Sequence, residues 1–267
     1  MESDHVASRA ISLIDHLAAS GRHHFTSREA RASLGISPAT ARLALNRLSK
    51  KGFGASPARG FYVIVPPEYR RLGCLPADQF VPALFEHLGL RYYAGLLSAA
   101  QYHGAAHQRR QEFQVVVARN RRRISCGEIR VAFFARKRIA EVPVESFNTP
   151  RGTVLVSTVE ATAVDLVGYA DHAGGLDQVA TILAELAEQI DSARLVGAAE
   201  TAPLSWAQRL GYLLERVGAD EKTGDLKAYV QRTARDLTPL LARASRAGAS
   251  RSADWKVHVN ASVEPDL

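Results

Sequence analysis

Residues 38–65 contain five Lys and Arg side chains and no Asp or Glu. This imbalance suits a segment that lies against the phosphates of DNA, because an acidic group there would be repelled. If residues 38–50 are helical, Thr40, Arg42 and Asn46 project away from the apolar positions of that helix. Arg can then reach guanine and Asn can reach adenine. The pattern indicates a helix that reads base edges in the major groove.

Other residues of this segment are predicted to contact the DNA backbone. Ser37, Arg47 and Lys50 lie nearer the flanks of the same helix, where side chains meet phosphates rather than bases. Arg59 is predicted at the tip of a hairpin, beside the minor groove or the adjacent backbone. Leu43 occupies an outward position where a polar group is common. It is therefore either a contact to a thymine methyl group or a sign that the helix phase is shifted.

A second basic segment lies between two predicted strands. Arg119, Arg121, Arg122 and Arg123 fall within five residues, and such a concentration of charge attracts a phosphate backbone. We predict that these four arginines form an auxiliary nucleic-acid contact; the alternative is a solvated turn. Arg136–Arg138, at the end of the following strand, is expected at the same end of the sheet.

Catalytic and metal-binding patterns are much weaker. His103 and His107 have the spacing of two ligands on one helix, but no Glu lies between them and no third ligand follows. Glu112 and Glu128 lie on predicted strands without the lysine that metal-dependent nucleases place two residues after the acid. The sequence also has no Walker loop, no GxGxxG after a strand and no GxSxG. We therefore predict no catalytic residue, no metal and no cofactor.

Three helices and a hairpin must position the first basic segment. Apolar spacing and capping residues predict helices over residues 6–19, 26–34 and 38–50. A turn over residues 52–60, rich in Gly, Ser, Pro and Ala, precedes a strand-like run at 61–65. Residues 1–65 therefore predict a winged helix-turn-helix DNA-binding domain. The alternative is a three-helix interaction module with a solvated basic face.

The remaining sequence predicts a linker at residues 66–79 and a larger mixed α/β domain at 80–267, with a small sheet and several helices. The fold class is therefore α+β. Strands are predicted at 113–118, 129–134, 144–147 and 153–156, with a last one at 255–259 returning to the sheet. Helices are predicted at 79–89 and 92–103, and five more between 158 and 234.

Composition narrows the class of protein further. The 267 residues are 46% hydrophobic and 23% charged, which excludes a disordered or fibrous chain. The first 150 residues carry a net charge of +11 and the remaining residues carry −4. This division suggests that the first part of the chain binds a polyanion and that the rest has a different function. No apolar stretch reaches the ~18 residues of a membrane span, and the N-terminus does not resemble a secretory signal. Two cysteines distant in sequence, Cys74 and Cys126, argue against a disulfide scaffold or a cysteine-based zinc site and suit a cytoplasmic protein without a membrane partner.

Three segments resemble one family. Arg59-Gly60-Phe61-Tyr62 resembles the RGxY wing ending of AbiEi-type antitoxins, and Tyr92–Ala100 with His103-Gly104 resembles their YYxGLLSAxxxHG helix. Ser157–Leu166 is similar to the (S/T)PERTxxDL helix start of the same family. Val159 and Ala161 replace the usual Pro and Arg there, so no role of that Arg is carried over. The resemblance spans nearly the whole chain and is weakest after residue 200.

The resemblance implies a bacterial antitoxin of a type IV toxin–antitoxin, or abortive infection, system. Members repress their own operon at inverted repeats through a winged-helix N-terminal domain, while the C-terminal domain carries the antitoxic activity. The toxin is nucleotidyltransferase-like and forms no stable complex with the antitoxin. The first alternative is a one-component winged-helix regulator whose C-terminal domain binds a small effector; a weaker one is a nucleic-acid-modifying enzyme.

Overall fold

The computed structural model describes residues 2–105 and 112–266, and across them the chain is a mixed α+β fold with ten α-helices and three sheets. Its N-terminal part has the three predicted helices, α1 (Glu2–Ala19), α2 (Ser27–Leu34) and α3 (Pro38–Lys50). Their apolar faces meet in one core, because residues three and four apart lie on the same side of a helix. The buried side chains of this core include Ala10, Ile14, Leu17, Phe25, Ala30, Leu34, Ala44, Leu45 and Leu48.

Local sequence fixes where α2 and α3 begin. The Thr26 hydroxyl accepts a hydrogen bond from the Glu29 N–H at 3.1 Å, and the Glu29 carboxylate accepts one from the Thr26 N–H at 2.7 Å. Gly35 ends α2 with φ at 63°, a left-handed conformation that favours glycine. Ser37 caps α3 and Pro38 takes its first position, as predicted.

Glu29 makes the stability of this N-terminal part depend on pH. Partial burial opposes ionisation of its carboxyl group, but hydrogen bonds from Arg22 and Thr26 outweigh that effect and lower its pKa to about 2. A carboxyl group whose pKa is lower in the folded chain stabilises the fold fully above its unfolded pKa, near 4.5. That contribution is lost as the pH falls toward 2, and solvent screening of the half-exposed Arg22–Glu29 pair keeps it modest.

We expect the substitution Glu29→Gln to remove this part of the pH dependence. Above pH 5 the variant should be less stable than the wild type, because the neutral amide cannot form an ion pair with the Arg22 guanidinium. Between about pH 4.5 and pH 2 the difference should shrink as the wild-type carboxylate is protonated. Urea unfolding midpoints of both proteins, measured across this range, check the prediction. A difference that stays constant with pH would contradict it.

A three-stranded antiparallel sheet of order β1–β3–β2 completes the N-terminal part. Its strands are β1 (His24–Thr26), β2 (Gly54–Ala58) and β3 (Phe61–Ile64). The prediction of β3 is confirmed, but the turn predicted over residues 52–60 is too long, because most of that segment is β2. Pairing with β3 supplies backbone hydrogen bonds that outweigh the low strand propensity of Gly, Ser and Pro.

A six-stranded mixed sheet of order β6–β7–β5–β4–β9–β8 organises the second part of the chain. Its strands are β4 (Tyr92–Ala94), β5 (Glu112–Val117), β6 (Ile124–Cys126), β7 (Ile129–Ala135), β8 (Val144–Thr149) and β9 (Gly152–Ser157). The helices of this part are α4 (Ala77–Leu88), α5 (Leu96–Tyr102), α6 (Val159–Gly168), α7 (Leu176–Ala187), α8 (Ser192–Glu200), α9 (Leu204–Arg216) and α10 (Gly224–Thr233). None of the described helices is both long and apolar enough to cross a lipid bilayer.

The helix predicted over residues 92–103 is wrong in its first turn. Tyr92–Ala94 forms the inner strand β4, in which Tyr93 lies opposite Val116 of β5. The helix α5 begins only after Gly95, which packs so tightly that an added β-carbon would lie 2.7 Å from Val116. Burial of the strand between two neighbours, rather than local propensity, decides this segment.

The last predicted strand is also misplaced. β12 (Val257–Val259) does not return to the six-stranded sheet but pairs with β10 (Thr238–Pro239) and β11 (Ser250–Ser252) in a separate small sheet. Trp255 is fully buried before this strand and fills the space over Gly211, where a β-carbon would lie 2.0 Å from its ring. The close packing on α9 holds the third sheet against the helices.

Residues 66–79, the predicted linker, are packed rather than extended into solvent. Cys74 and Leu75 are fully buried in a core that combines Phe61 and Val63 of β3 with side chains of α4, β5 and β7. The strand β2 also lies beside β6. The hairpin of the N-terminal part is therefore in direct contact with the six-stranded sheet.

Candidate nucleic-acid interface

The helix α3 has one buried and one exposed side. Ala41, Ala44, Leu45 and Leu48 face the core, whereas Arg42, Leu43, Asn46, Arg47 and Lys50 are exposed on the other side. Because no acidic residue lies on this helix, the exposed side presents only positive and neutral groups. The structure thus brings together most of the side chains that we predicted to meet DNA.

Leu43 is 57% exposed in the middle of this surface. The helix phase taken from the sequence is therefore right, and Leu43 lies one turn from Asn46 and Arg47. An exposed leucine among polar groups has no partner in the described part of the core, but its size suits a thymine methyl group.

Ser37 and Thr40 are engaged at the start of α3. The Ser37 hydroxyl accepts a hydrogen bond from the Thr40 N–H at 3.2 Å, and the two hydroxyl oxygens lie 2.8 Å apart. Thr40 is half-buried, so it presents less of its side chain than Arg42 or Asn46. These two hydroxyls lie at the positive end of the helix dipole, to which an anion is attracted.

Arg59 is exposed in the turn between β2 and β3, as predicted. Gly60 follows it with φ at 78°, and its carbonyl accepts a hydrogen bond from the Ser27 N–H at 2.9 Å. This bond ties the hairpin tip to the first residue of α2. The position of Arg59 is therefore linked to the start of α2.

The arginine turn, residues 119–123, is exposed between β5 and β6. It borders a cleft of about 430 Å³ that is also lined by Pro57 and Ala58 of the hairpin. Arg123 lies 3.3 Å from Glu112, and the Arg121 guanidinium lies 5.9 Å from the centre of the Phe85 ring. The arginine turn and the hairpin that carries Arg59 thus flank the same cleft, an adjacency that the sequence does not indicate.

Arg136–Arg138 lies at the same end of the sheet as the start of the arginine turn, as expected, because β5 and β7 run parallel. The Arg136 side chain nevertheless does not contribute to the basic surface. It is buried at the end of β7, and its guanidinium lies 2.5 Å from the Asp165 carboxylate of α6. Arg138, two residues on, pairs with Glu141 and donates to the Glu200 carbonyl at 2.7 Å. Arg136 and Arg138 are thus both paired with carboxylates of the protein itself.

The Arg136–Asp165 pair belongs to a buried polar network that sequence reasoning missed. Tyr93 donates its hydroxyl proton to Asp165 at 2.8 Å, and Arg136 donates to the Thr201 hydroxyl at 2.7 Å. Burial raises the pKa of Asp165 to about 6, although Arg136 and Tyr93 favour the carboxylate. The sequence feature that could have indicated this network is Asp165, an aspartate within the otherwise apolar run Ala163–Val167. The network has no exposed member that could meet a substrate, so it links β4, β7, α6 and α8 instead.

Of the two histidines with metal-ligand spacing, only His103 lies within the described residues. The His103 ring lies 2.8 Å from the Ser157 carbonyl oxygen and 3.8 Å from Glu145, whereas His107 lies outside the described residues. Within residues 2–105 and 112–266, no cluster of three His, Cys, Asp or Glu side chains is arranged to hold a metal ion. His103 joins the end of α5 to the end of β9.

Comparison with known proteins shows which family the second part of the chain resembles. Residues 93–216 match the family model of the AbiEi antitoxin C-terminal domain. The crystal structure of the RV2827C protein from Mycobacterium tuberculosis is similar in fold, with a TM-score of 0.65 and 16% sequence identity over 94% of this chain and 90% of that one. No curated protein is significantly similar in sequence. The matched segment contains Tyr93, Arg136, Asp165 and Thr201, and by this segment the chain is similar to the AbiEi-type antitoxins.

Proposed function

We propose that this protein is the antitoxin of a type IV toxin–antitoxin, or abortive infection, system and that it represses its own operon by binding DNA. The AbiEi antitoxin domain at residues 93–216 supports the antitoxic role. The acid-free exposed side of α3 is the observation that carries the DNA-binding role. In this proposal the protein works in the bacterial cytoplasm, needs no metal or cofactor and carries no catalytic residue.

The N-terminal part would act as a winged helix-turn-helix domain, residues 1–65. The order of its elements supports this assignment: α2 and α3 are joined by a short turn at Gly35, and a hairpin follows α3 directly. Arg42 and Asn46 would reach base edges in the major groove, with Thr40 at the edge of the same surface. Ser37, Arg47, Lys50 and Arg59 would hold phosphates.

We expect Arg42→Ala and Asn46→Ala each to weaken operator binding by about 1–3 kcal/mol and to relax selectivity at one base pair. Binding of each variant is measured against operators substituted one position at a time. Arg31→Ala is the matched control, because Arg31 is an exposed arginine on α2 that lies outside the proposed surface. Operator affinity unchanged in both test variants would contradict the role of α3.

The antitoxic role is tested by co-expression with the neighbouring toxin gene. The proposal predicts a nucleotidyltransferase-like gene directly downstream and growth rescue by the full chain. Rescue should persist in the Arg42→Ala variant, because this residue lies outside the AbiEi domain. Growth arrest that the wild-type chain does not relieve would contradict the antitoxic role and leave DNA binding as a separate result.

A second candidate function is favoured by the cleft beside the arginine turn. Its volume of about 430 Å³ suits a small ligand. Leu84, Phe85 and Phe133 line it together with Arg121 and Arg122, so an anion with an apolar part would fit. The protein would then be a one-component regulator that responds to an effector. Operator binding that changes with such a metabolite, in an organism without a downstream toxin gene, would favour this second function.

A further inference from the structure

The two cysteines of the chain meet in the folded protein, although the sequence places them far apart. Cys74 lies in the segment 66–79 and Cys126 is the last residue of β6. Both thiols are free and lie buried in the same core. Gly73 and Gly127, the residues next to them in sequence, lie so close together that a β-carbon on Gly73 would be 3.1 Å from the Gly127 Cα atom. Cysteines this close need little movement to form a bond between their sulfur atoms.

The backbone on either side holds this contact in place. The Glu128 N–H donates to the Leu72 carbonyl at 2.7 Å, directly beside the two cysteines. Gly127 has φ at 57°, and a β-carbon there would lie 2.0 Å from the Leu72 oxygen. The turn after β6 therefore packs against residues 72–74 at a distance that only glycine permits. The position of the thiol pair is a property of the fold rather than of mobile side chains.

The two thiols are not equivalent. Cys74 is fully buried, whereas Cys126 keeps 7% of its surface exposed. The neighbouring Cys74 thiol lowers the pKa of Cys126 against the effect of burial, and the Ser56 backbone and the Arg130 charge act in the same direction. The Cys126 thiol, together with burial, raises the pKa of Cys74. Cys126 is thus the thiol that an oxidant reaches first, and Cys74 is placed to react second.

We propose that Cys74 and Cys126 are a redox-modification site, at which a hydroperoxide converts the two thiols into an intramolecular disulfide. The Cys126 thiolate attacks the peroxide oxygen, so an S–O bond forms, the O–O bond breaks and water or an alcohol leaves after taking up a proton. The Cys74 sulfur then attacks the Cys126 sulfenic acid. The S–S bond forms, the S–O bond breaks and a second water leaves, so that two electrons pass from the sulfurs to the peroxide.

This modification would covalently join the segment 66–79 to β6. The hairpin strand β2 lies beside β6, and Ala55 of β2 is buried in the same core as both cysteines. The disulfide would therefore form directly beneath the hairpin that carries Arg59. A dithiol reverses it, which fits the transient disulfides of reducing compartments.

The test exposes the reduced full-length protein to hydrogen peroxide, removes the peroxide and alkylates the remaining thiols in denaturant. We expect a monomer that is lighter by two hydrogen atoms and carries no alkyl group, with one cross-linked peptide containing Cys74 and Cys126. A dithiol should restore two alkylation sites. Two alkylated thiols after peroxide, sulfonic acids at both positions or cross-links between chains would each overturn the proposal.

Single variants separate the two roles. Cys74→Ser should accumulate a sulfenic acid at Cys126 that dimedone traps, because the second thiol is missing. Cys126→Ser should leave Cys74 unmodified at the same peroxide concentration. The reverse pattern, or equal labelling of both variants, would overturn the assigned order. Oxidation of the wild type in concentrated guanidinium chloride is the control for the fold; a disulfide that forms there as fast as in the native chain would show that the native thiol pair does not promote the reaction.

Discussion

Replacing Asp165 with alanine is expected to lower the free energy of unfolding by about 3–5 kcal/mol, because it leaves the Arg136 guanidinium buried without a counter-charge. The two groups lie 2.5 Å apart, and neither is accessible to water that could replace the missing partner. Tyr93 also loses the acceptor of its hydroxyl proton. An unpaired charge in a low-dielectric core is among the few single changes that cost this much.

Denaturant unfolding of the full chain measures this loss, and the structure offers a matched control. Asp171 also pairs with an arginine, Arg243, at 3.5 Å, but both side chains are more than half exposed. Asp171→Ala should change stability by less than about 1 kcal/mol, since exposed ion pairs contribute little. Asp165→Asn keeps the shape but removes the charge, and it should lose much of the same stability. If Asp165→Ala unfolds at the same denaturant concentration as Asp171→Ala, the network does not stabilise the fold.

Replacing Arg119, Arg121, Arg122 and Arg123 together with alanine is expected to weaken binding to operator and to random DNA almost equally. These side chains would meet phosphates, which carry no sequence information. Removing one arginine–phosphate interaction should flatten the slope of log K against log salt by up to about 0.9. Arg123 is already paired with Glu112, so its share of the change should be the smallest.

Binding isotherms at several salt concentrations decide this prediction. The matched control is a variant in which Arg243, Arg246 and Arg251 become alanine, because these exposed arginines lie in the acidic last part of the chain. The control should keep the wild-type slope. If the quadruple variant also keeps the wild-type slope, the arginines do not contact phosphates, and the arginine turn is a solvated loop or serves the antitoxic role.

The N-terminal helices and the exposed side of α3 follow from local sequence alone. The boundaries of α2 and α3 depend on groups within a few residues: a capping hydroxyl at Ser37, proline at the first helical position and glycine after α2. The phase of α3 follows from its apolar spacing, so the exposure of Arg42 and Asn46 needed no tertiary information. Three short motifs were likewise enough to indicate a resemblance to AbiEi antitoxins, and the match of residues 93–216 to the C-terminal domain of that family confirms the resemblance.

Which charged and polar groups remain available depends instead on the tertiary structure. Arg121 and Arg136 both follow strands in the sequence, yet one is exposed and the other is buried against Asp165, 29 residues further along the chain. Tyr92–Ala94 is a strand because β5 and β9 provide its backbone partners. The closeness of Cys74 to Cys126 and that of the hairpin to the arginine turn arise in the same way. Each depends on partners distant in sequence, and a local pattern carries no information about such partners.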